Sequence, residues 1–254
     1  MSAKHYTTTA HRDVGALGQR LRDFGFAFNV DSMIDVEDIA SGVCDCEIVQ
    51  VSELTEARAI EMLRDEFGVD TSDVAVACDA PLAGALCVAG DGALRWIFVR
   101  KEDSYERRRF SIAHEIGHLI IEVEPDISNR AALIHDTLVT GMDNEVRVFN
   151  RCAAIDQPSD LRTSTPKAKA LSKTDLREIR AHHFAAELLM PFDGVTRLLR
   201  ACAGATGIRT KADVDQLVRR VADTYVVSGA AARLRIEKDL RVVAINDHSN
   251  MDLF

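Results

Sequence analysis

Apolar residues recur along the chain at spacings that predict a mostly helical protein with a few strands. Helical spacing predicts helices over 11–28, 56–67, 174–190 and 211–225, with further helices beginning near Asp35 and at Ser228. Alternation and short apolar runs predict strands over 46–54 and 240–245, and a hairpin over 82–99. No internal repeat is present. The pattern therefore favours an α+β protein in which helices predominate.

The chain divides at changes in this pattern. Residues 156–175 are polar, contain two prolines and show little periodicity, so the region of about 123–175 is expected to be an insertion, either a lid, a partner-docking arm or a mobile loop. We expect an N-terminal helical segment (1–44), a core (45–195) that carries the insertion, and a C-terminal helical segment (196–254).

Charge and composition exclude several classes of protein. The 254 residues carry a formal net charge of −9, which does not favour a nucleic-acid backbone, so no direct nucleic-acid binding is expected. No apolar run approaches the roughly 18 residues of a membrane span, and the first residues lack the apolar region of a signal peptide. We therefore expect a cytoplasmic protein with no membrane contact. Its six cysteines form no C-x-x-C pair and are expected to be reduced.

The segment RRRFSIAHEIGHLIIEVE (107–124) carries the candidate chemistry. It contains His-Glu-x-x-His at His114, Glu115 and His118, and an acidic capping residue, Asp103, precedes it. Residues four apart lie on one helix face, about 6 Å apart, so both imidazoles can point at one ion. Glu115 lies about 100° round the helix and can reach a water on that ion without binding the ion. The alternative is a surface helix that happens to carry two histidines and an acid.

A third ligand is needed, because catalytic zinc takes three protein ligands and leaves its fourth position to water. The other dense cluster of ligand-type residues is LREIRAHHFAAELLMP (176–191), which offers Glu178, His182, His183 and Glu187. Glu178 and His182 share a helix face, whereas Glu187 lies nearly opposite Glu178. Both glutamates therefore cannot face the metal, and one glutamate of this second helix is the expected ligand.

The two segments together resemble the ImmA/IrrE family of zinc-dependent endopeptidases. The family pattern joins an rrFtlaHElgH helix to a helix of the form E-x-x-A-N-x-F-A-A-x-L-L-M-P, and here the second element reads EIRAHHFAAELLMP (178–191). The resemblance implies that Glu178 is the third metal ligand and that Glu187 is structural. His182 replaces the family's asparagine one turn after Glu178, so it is a candidate to support the site or to act as a fourth ligand.

The resemblance also implies a fold and an activity. The fold would be zincin-like, with a small antiparallel β-sheet beside the two metal-ligand helices, and the core a metallopeptidase. The activity would be that of a bacterial or phage regulatory protease, a zinc-dependent endopeptidase that cleaves a helix-turn-helix transcriptional repressor. Two histidines with one carboxylate favour Zn²⁺ as the cofactor.

Two alternatives stay open. A site closed by His182 would be structural, and the protein would then be a binding module that sequesters a regulator. A DNA-binding regulator that uses the helices of 211–240 is disfavoured by the acidic balance and by the lack of a basic stripe.

Several nearby side chains are candidates for supporting roles. Tyr105, His183 and Arg109 are candidate donors to an oxyanion, alongside His182. Glu122 continues the face of His114 and His118 by one turn; it could hold a ligand histidine, although such a residue is more often solvated. Gly117 lowers helix propensity by about 1 kcal/mol relative to alanine, which indicates that another backbone packs closely there.

Overall fold

A computed structural model describes residues 3–26, 28–72, 74, 80–125, 147–153, 173–203, 208 and 210–242. Its helices are α1 (Ala3–Asp23), α2 (Val36–Gly42), α3 (Glu56–Asp65), α4 (Tyr105–His118), α5 (Lys173–Leu189), α6 (Phe192–Ala203), α7 (Lys211–Tyr225) and α8 (Gly229–Leu234). Its strands are β1 (Glu47–Val51), β2 (Leu82–Ala89), β3 (Leu94–Arg100) and β4 (Arg147–Ala153). The predicted α+β class with a predominance of helix is confirmed.

The four described strands form one mixed sheet in the order β1-β3-β2-β4. The predicted hairpin is present, with β2 antiparallel to β3, and β2 is also antiparallel to β4. β1 pairs with β3 in parallel, so the expectation of a wholly antiparallel sheet is wrong for this pair. The second strand of the hairpin lies next to β1 and runs in its direction, an arrangement that local residue patterns cannot specify.

Apolar clusters cover both faces of the sheet. On β2, Leu86 and Val88 pack into the cluster that contains α1, α4 and α5, whereas Ala85 and Cys87 pack into the cluster on the α3 side. Successive side chains of a strand point to opposite faces, and both faces are covered here, so β2 is buried along its whole length. This double burial explains its continuous apolar sequence, LAGALCVA.

The helices α4 and α5 lie in direct backbone contact. A Cβ added at Gly117 would lie 3.3 Å from both the Cα and the carbonyl oxygen of Ala181, and 3.1 Å from Cδ1 of Phe184. Only glycine permits so close an approach, so the expectation of a closely packed backbone at Gly117 is confirmed. α1 also packs against α5.

A buried arginine ties α4 to the C-terminal helices. The Arg109 side chain is 1 % exposed and donates to the carbonyl oxygens of Tyr225 at 2.7 Å, of Ile34 at 2.8 Å and of Val226. Tyr225 and Val226 end α7, where backbone carbonyls lack helical partners. Burial lowers the pKa of Arg109, and its charge is compensated by these carbonyl dipoles. Arg109 is therefore a structural cap of α7.

Some elements differ from the sequence-based expectations. Ser104, not Asp103, caps α4, because the Asp103 carboxylate pairs with Arg100 and Arg107. The helix α6 was not predicted. The predicted insertion contributes β4, whereas 126–146 and 154–172 lie outside the described residues. Of the strand expected over 240–245, only 240–242 is described, and it is not a strand.

No helix in the described part of the chain has both the length and the apolar character needed to span a membrane.

Candidate metal centre

The helix α4 presents its most buried face at the His-Glu-x-x-His residues. His114 is 1 % exposed, and Glu115 and His118 have no exposed surface. Three polar side chains at this depth require partners, because a buried polar group without one costs about 1–3 kcal/mol. The alternative, a surface helix that carries these residues by chance, is therefore excluded, because all three side chains are buried.

Glu178 of α5 joins the two histidines across the contact between the helices. Its Oε2 lies 3.3 Å from His114 Nε2, its Oε1 lies 3.8 Å from His118 Nε2, and the two Nε2 atoms are 3.0 Å apart. One ligand atom from each residue lies within 4.8 Å of the others, so the three form a group that could hold a metal ion. Gly117 lies between His114 and His118, so the close contact of α4 with α5 at Gly117 brings Glu178 up to the two histidines.

The donor set fits a zinc ion. Zinc binds imidazole nitrogen and carboxylate oxygen at about 2.0–2.2 Å in a tetrahedron, whose edges are then about 3.3 Å long. The separations of 3.0 and 3.3 Å are close to such edges, and the third, 3.8 Å between His118 Nε2 and Glu178 Oε1, is longer. No fourth histidine, cysteine, aspartate or glutamate joins the group within the described residues. Glu178 is 32 % exposed, so the group is reached by solvent on the α5 side.

The shifted pKa values of Glu178 and His118 show that positive charge is stabilised at the centre of the group. Burial alone would raise the pKa of Glu178, but the nearby imidazoles of His114 and His118 lower it to about 2. Burial alone would lower the pKa of His118, but Glu122 and Glu178 raise it to about 9. For His114, burial prevails and lowers the pKa. The carboxylates thus draw positive charge to the point where a divalent cation would supply it.

Glu115 lies beside this group without joining it. Burial raises the pKa of its carboxyl group to about 8, opposed in part by the Leu86 backbone, and no side chain in the described part of the chain hydrogen-bonds either carboxyl oxygen. Gly84 of β2 lies so close to the Glu115 carboxyl group that a Cβ added at Gly84 would lie 3.0 Å from Glu115 Oε1. A buried carboxyl group whose oxygens are engaged by no side chain is suited, when ionised, to accept a proton from water. Sequence reasoning found Glu115 but not Gly84, whose contact depends on how β2 lies over α4.

Glu122 holds the second histidine from behind. Its Oε1 accepts a hydrogen bond from His118 Nδ1 at 2.8 Å, and its Oε2 lies 3.2 Å from Arg177 Nε on α5. The Glu122 side chain is only 10 % exposed. Of the two readings of Glu122, the solvated one is therefore wrong and the one in which it holds a ligand histidine is confirmed. Arg177 was not singled out from the sequence.

His182 lies at the rim of the group. Its ring is edge-on to Phe110 and His114, with centroid distances of 4.9 and 5.9 Å, and part of the residue is accessible to solvent. Burial lowers the pKa of His182, and the neighbouring His114 and His183 lower it further, to about 4. His182 is not in the three-residue ligand group, which counts against a site closed by a fourth protein ligand.

The remaining candidates lie away from the group. His183 is half-buried on the side of Arg235 and Asp239, and burial lowers its pKa. Tyr105 begins α4 and is 43 % exposed, about 14 Å along the helix axis from His114. Arg109 is committed to the carbonyl groups that end α7, so it is not available as an oxyanion donor in this arrangement.

Glu187, which the resemblance assigns to structure, is the centre of a buried network. Its carboxylate pairs with Arg235, accepts a hydrogen bond from the Phe192 backbone N–H at 3.1 Å, and lies 3.0 Å from His11 Nδ1. Both Glu187 and Arg235 are 2 % exposed. The pair links α5 to α1, to the start of α6 and to the turn after α8, far from any metal-binding role.

Comparisons with known proteins support the same family. No curated protein matches the chain. Residues 85–141 match the model of the Peptidase M78 family, described as the IrrE N-terminal-like domain. The match covers most of β2, all of β3 and the whole of α4, including His114, Glu115 and His118. The predicted resemblance to the ImmA/IrrE family is thereby confirmed, and it rests on the match of residues 85–141 to the IrrE N-terminal-like domain of a metallopeptidase family.

Proposed function

We propose that the protein is a zinc-dependent endopeptidase that hydrolyses a partner protein at the group formed by α4 and α5. The observation that carries this proposal is the convergence of His114, His118 and Glu178 beside a fully buried Glu115 whose oxygens no described side chain engages. Family membership over 85–141 supports the reaction class. The partner expected from the resemblance is a helix-turn-helix repressor in the cytoplasm.

His114, His118 and Glu178 would hold the zinc ion. When bound, zinc would acidify a water molecule to a pKa of about 7 and would polarise the scissile carbonyl group. Water and substrate would approach beside Glu178, whose side chain is 32 % exposed. One carboxylate and two neutral imidazoles would leave one charge of the ion uncompensated, which would favour an oxyanion.

Glu115 performs the proton transfers. Its buried carboxylate takes the proton of the attacking water and then delivers that proton to the leaving amine nitrogen. A base whose pKa lies near neutrality can do both, and burial moves the pKa of Glu115 in that direction. His182, accessible beside His114, is the best-placed side chain to donate a hydrogen bond to the oxyanion. His183 and Tyr105 lie further away.

The proposal predicts that Glu115→Gln separates metal binding from catalysis. We expect the variant to retain one zinc per chain, because Glu115 is not a ligand, and to lose at least about 100-fold in cleavage rate, because its base is gone. Zinc is measured by elemental analysis. Cleavage is followed by gel electrophoresis and mass spectrometry, with a helix-turn-helix repressor and a random peptide library as substrates.

A matched control is Glu66→Gln, which makes the same chemical change at an exposed residue that follows α3. It should behave as the wild type in both assays. Equal cleavage by the wild type and by Glu115→Gln would refute the assigned role. If the zinc-loaded wild type binds the repressor but cuts neither substrate, the sequestering module replaces the endopeptidase.

A further inference from the structure

The support of His118 extends across both ligand helices. Glu122 uses one carboxyl oxygen for His118 Nδ1, at 2.8 Å, and the other for Arg177 Nε, at 3.2 Å. Arg177 directly precedes Glu178 on α5. The relay His118–Glu122–Arg177 therefore begins at one candidate ligand and ends at the residue next to another.

A change of helix type places Glu122 for this contact. Directly after His118 the helix widens into a π-turn over Leu119–Val123, in which the Glu124 N–H bonds to the Leu119 carbonyl five residues back. Glu122 lies within this wider turn, and its carboxylate lies against the outer nitrogen of His118. Isolated π-turns of this kind occur often at functional sites.

The chemistry of the relay bears on metal binding. A hydrogen bond from Nδ1 to Glu122 fixes the proton on that nitrogen, so the lone pair of His118 is presented on Nε2, towards His114 and Glu178. A carboxylate in this position also makes the imidazole a stronger ligand. Arg177 orients the Glu122 carboxylate, and this ion pair joins the start of α5 to the turn that follows α4.

We propose that Glu122 and Arg177 are positioning residues that set the metal affinity of the site, Glu122 through the ring of His118 and Arg177 through Glu122. This inference rests on the proposed function only in that the group binds a metal. It assigns neither residue to the coordination of the ion nor to the reaction.

The test measures zinc affinity of the metal-free protein by competition with a chromogenic chelator at neutral pH. Loss of a carboxylate that supports a ligand histidine commonly weakens metal binding about 10- to 100-fold, and we expect this for Glu122→Ala. Glu122→Gln should lose less, because its amide oxygen can still accept from His118. Arg177→Gln should lose least, and the double variant Glu122→Gln/Arg177→Gln should lose less than the product of the two single effects.

Arg180→Gln is the matched control on the same helix. It removes the same charge three residues later, where Arg180 lies 3.8 Å from Asp13 of α1 rather than near the metal group. Its zinc affinity should equal that of the wild type. A zinc affinity within about twofold of the wild type in both Glu122→Ala and Arg177→Gln would overturn the proposal, as would an equal loss in Arg180→Gln.

Two further measurements distinguish an effect on the position of the metal ligands from an effect on folding. The visible absorption of the Co²⁺-substituted protein should change in Glu122→Ala, because the ring of a coordinating histidine is released, and should not change in Arg180→Gln. The melting temperature of each metal-free variant shows whether folding itself is affected. If Glu122→Ala weakens zinc binding while Glu115→Gln still cleaves normally, the positioning role stands and the proposed catalytic role fails.

Discussion

The closest contact between α4 and α5 can be tested by adding one methyl group. In Gly117→Ala the new Cβ would lie 3.1–3.3 Å from Phe184 and from the backbone of Ala181, whereas carbon atoms normally pack at about 3.5–4.0 Å. The backbone of Ala181 cannot rotate away as a side chain can. The two helices must therefore separate by about 0.3–0.5 Å, and the distance between Glu178 and the two histidines grows with them.

The expected magnitude follows from two opposing effects. Alanine gains about 1 kcal/mol of helix propensity over glycine, and overpacking of this kind costs about 1–3 kcal/mol. The metal-free Gly117→Ala protein should thus be equal to the wild type or up to about 2 kcal/mol less stable. Zinc affinity should fall by about tenfold, which corresponds to 1.4 kcal/mol spent on bringing the helices back together.

Urea unfolding of the metal-free protein and chelator competition measure the two quantities. Gly15→Ala is the control, because Gly15 lies exposed inside α1 and an added Cβ there meets no atom within 4 Å. That variant should gain about 1 kcal/mol and keep its zinc affinity. If Gly117→Ala is stabilised as much as Gly15→Ala and binds zinc like the wild type, the contact does not control the site.

Three further substitutions test the packing against Glu115 and the two buried arginine networks. Gly84→Ala places a Cβ against the Glu115 carboxyl group, so we expect kcat to fall about tenfold or more in the cleavage assay with zinc content unchanged; a lost zinc would contradict this. Arg109→Met leaves three backbone carbonyls without a donor and should lower the free energy of unfolding by about 3–5 kcal/mol in urea; a loss below about 1 kcal/mol would refute its capping role. Glu187→Gln removes one carboxylate from the buried Arg235, which keeps Asp239 and the Met190 carbonyl as partners, and should cost about 1–3 kcal/mol, measured in the same way; an unchanged midpoint would show that the pair adds nothing.

The local pattern of the chain was sufficient for most single elements. The predicted helix over 174–190 is observed as Lys173–Leu189, and the one over 211–225 is observed with those same bounds. Helical periodicity and capping act over a few residues, so they can be read from the sequence alone. The His-Glu-x-x-His pattern is local in the same sense, because its geometry is that of one helix turn.

Contacts between distant segments were decided by the tertiary structure. The parallel pairing of β1 with β3, the strand contributed by the insertion, and the contact of Gly84 with Glu115 depend on how the elements pack. Glu187 shows the same limit. Its neighbours Arg235 and His11 are 48 and 176 residues away in the chain, so no pattern within α5 identifies it as the centre of a buried network.

The candidate metal centre divides along the same line. The sequence by itself determined that His114 and His118 share one face of a helix, because an α-helix brings residues four apart together wherever it lies. It did not determine that Glu178 meets them or that Arg177 reaches Glu122, since these contacts cross from α4 to α5. That crossing is possible because Gly117 has no side chain to keep the helices apart, and only the packed structure shows which backbone fills the space.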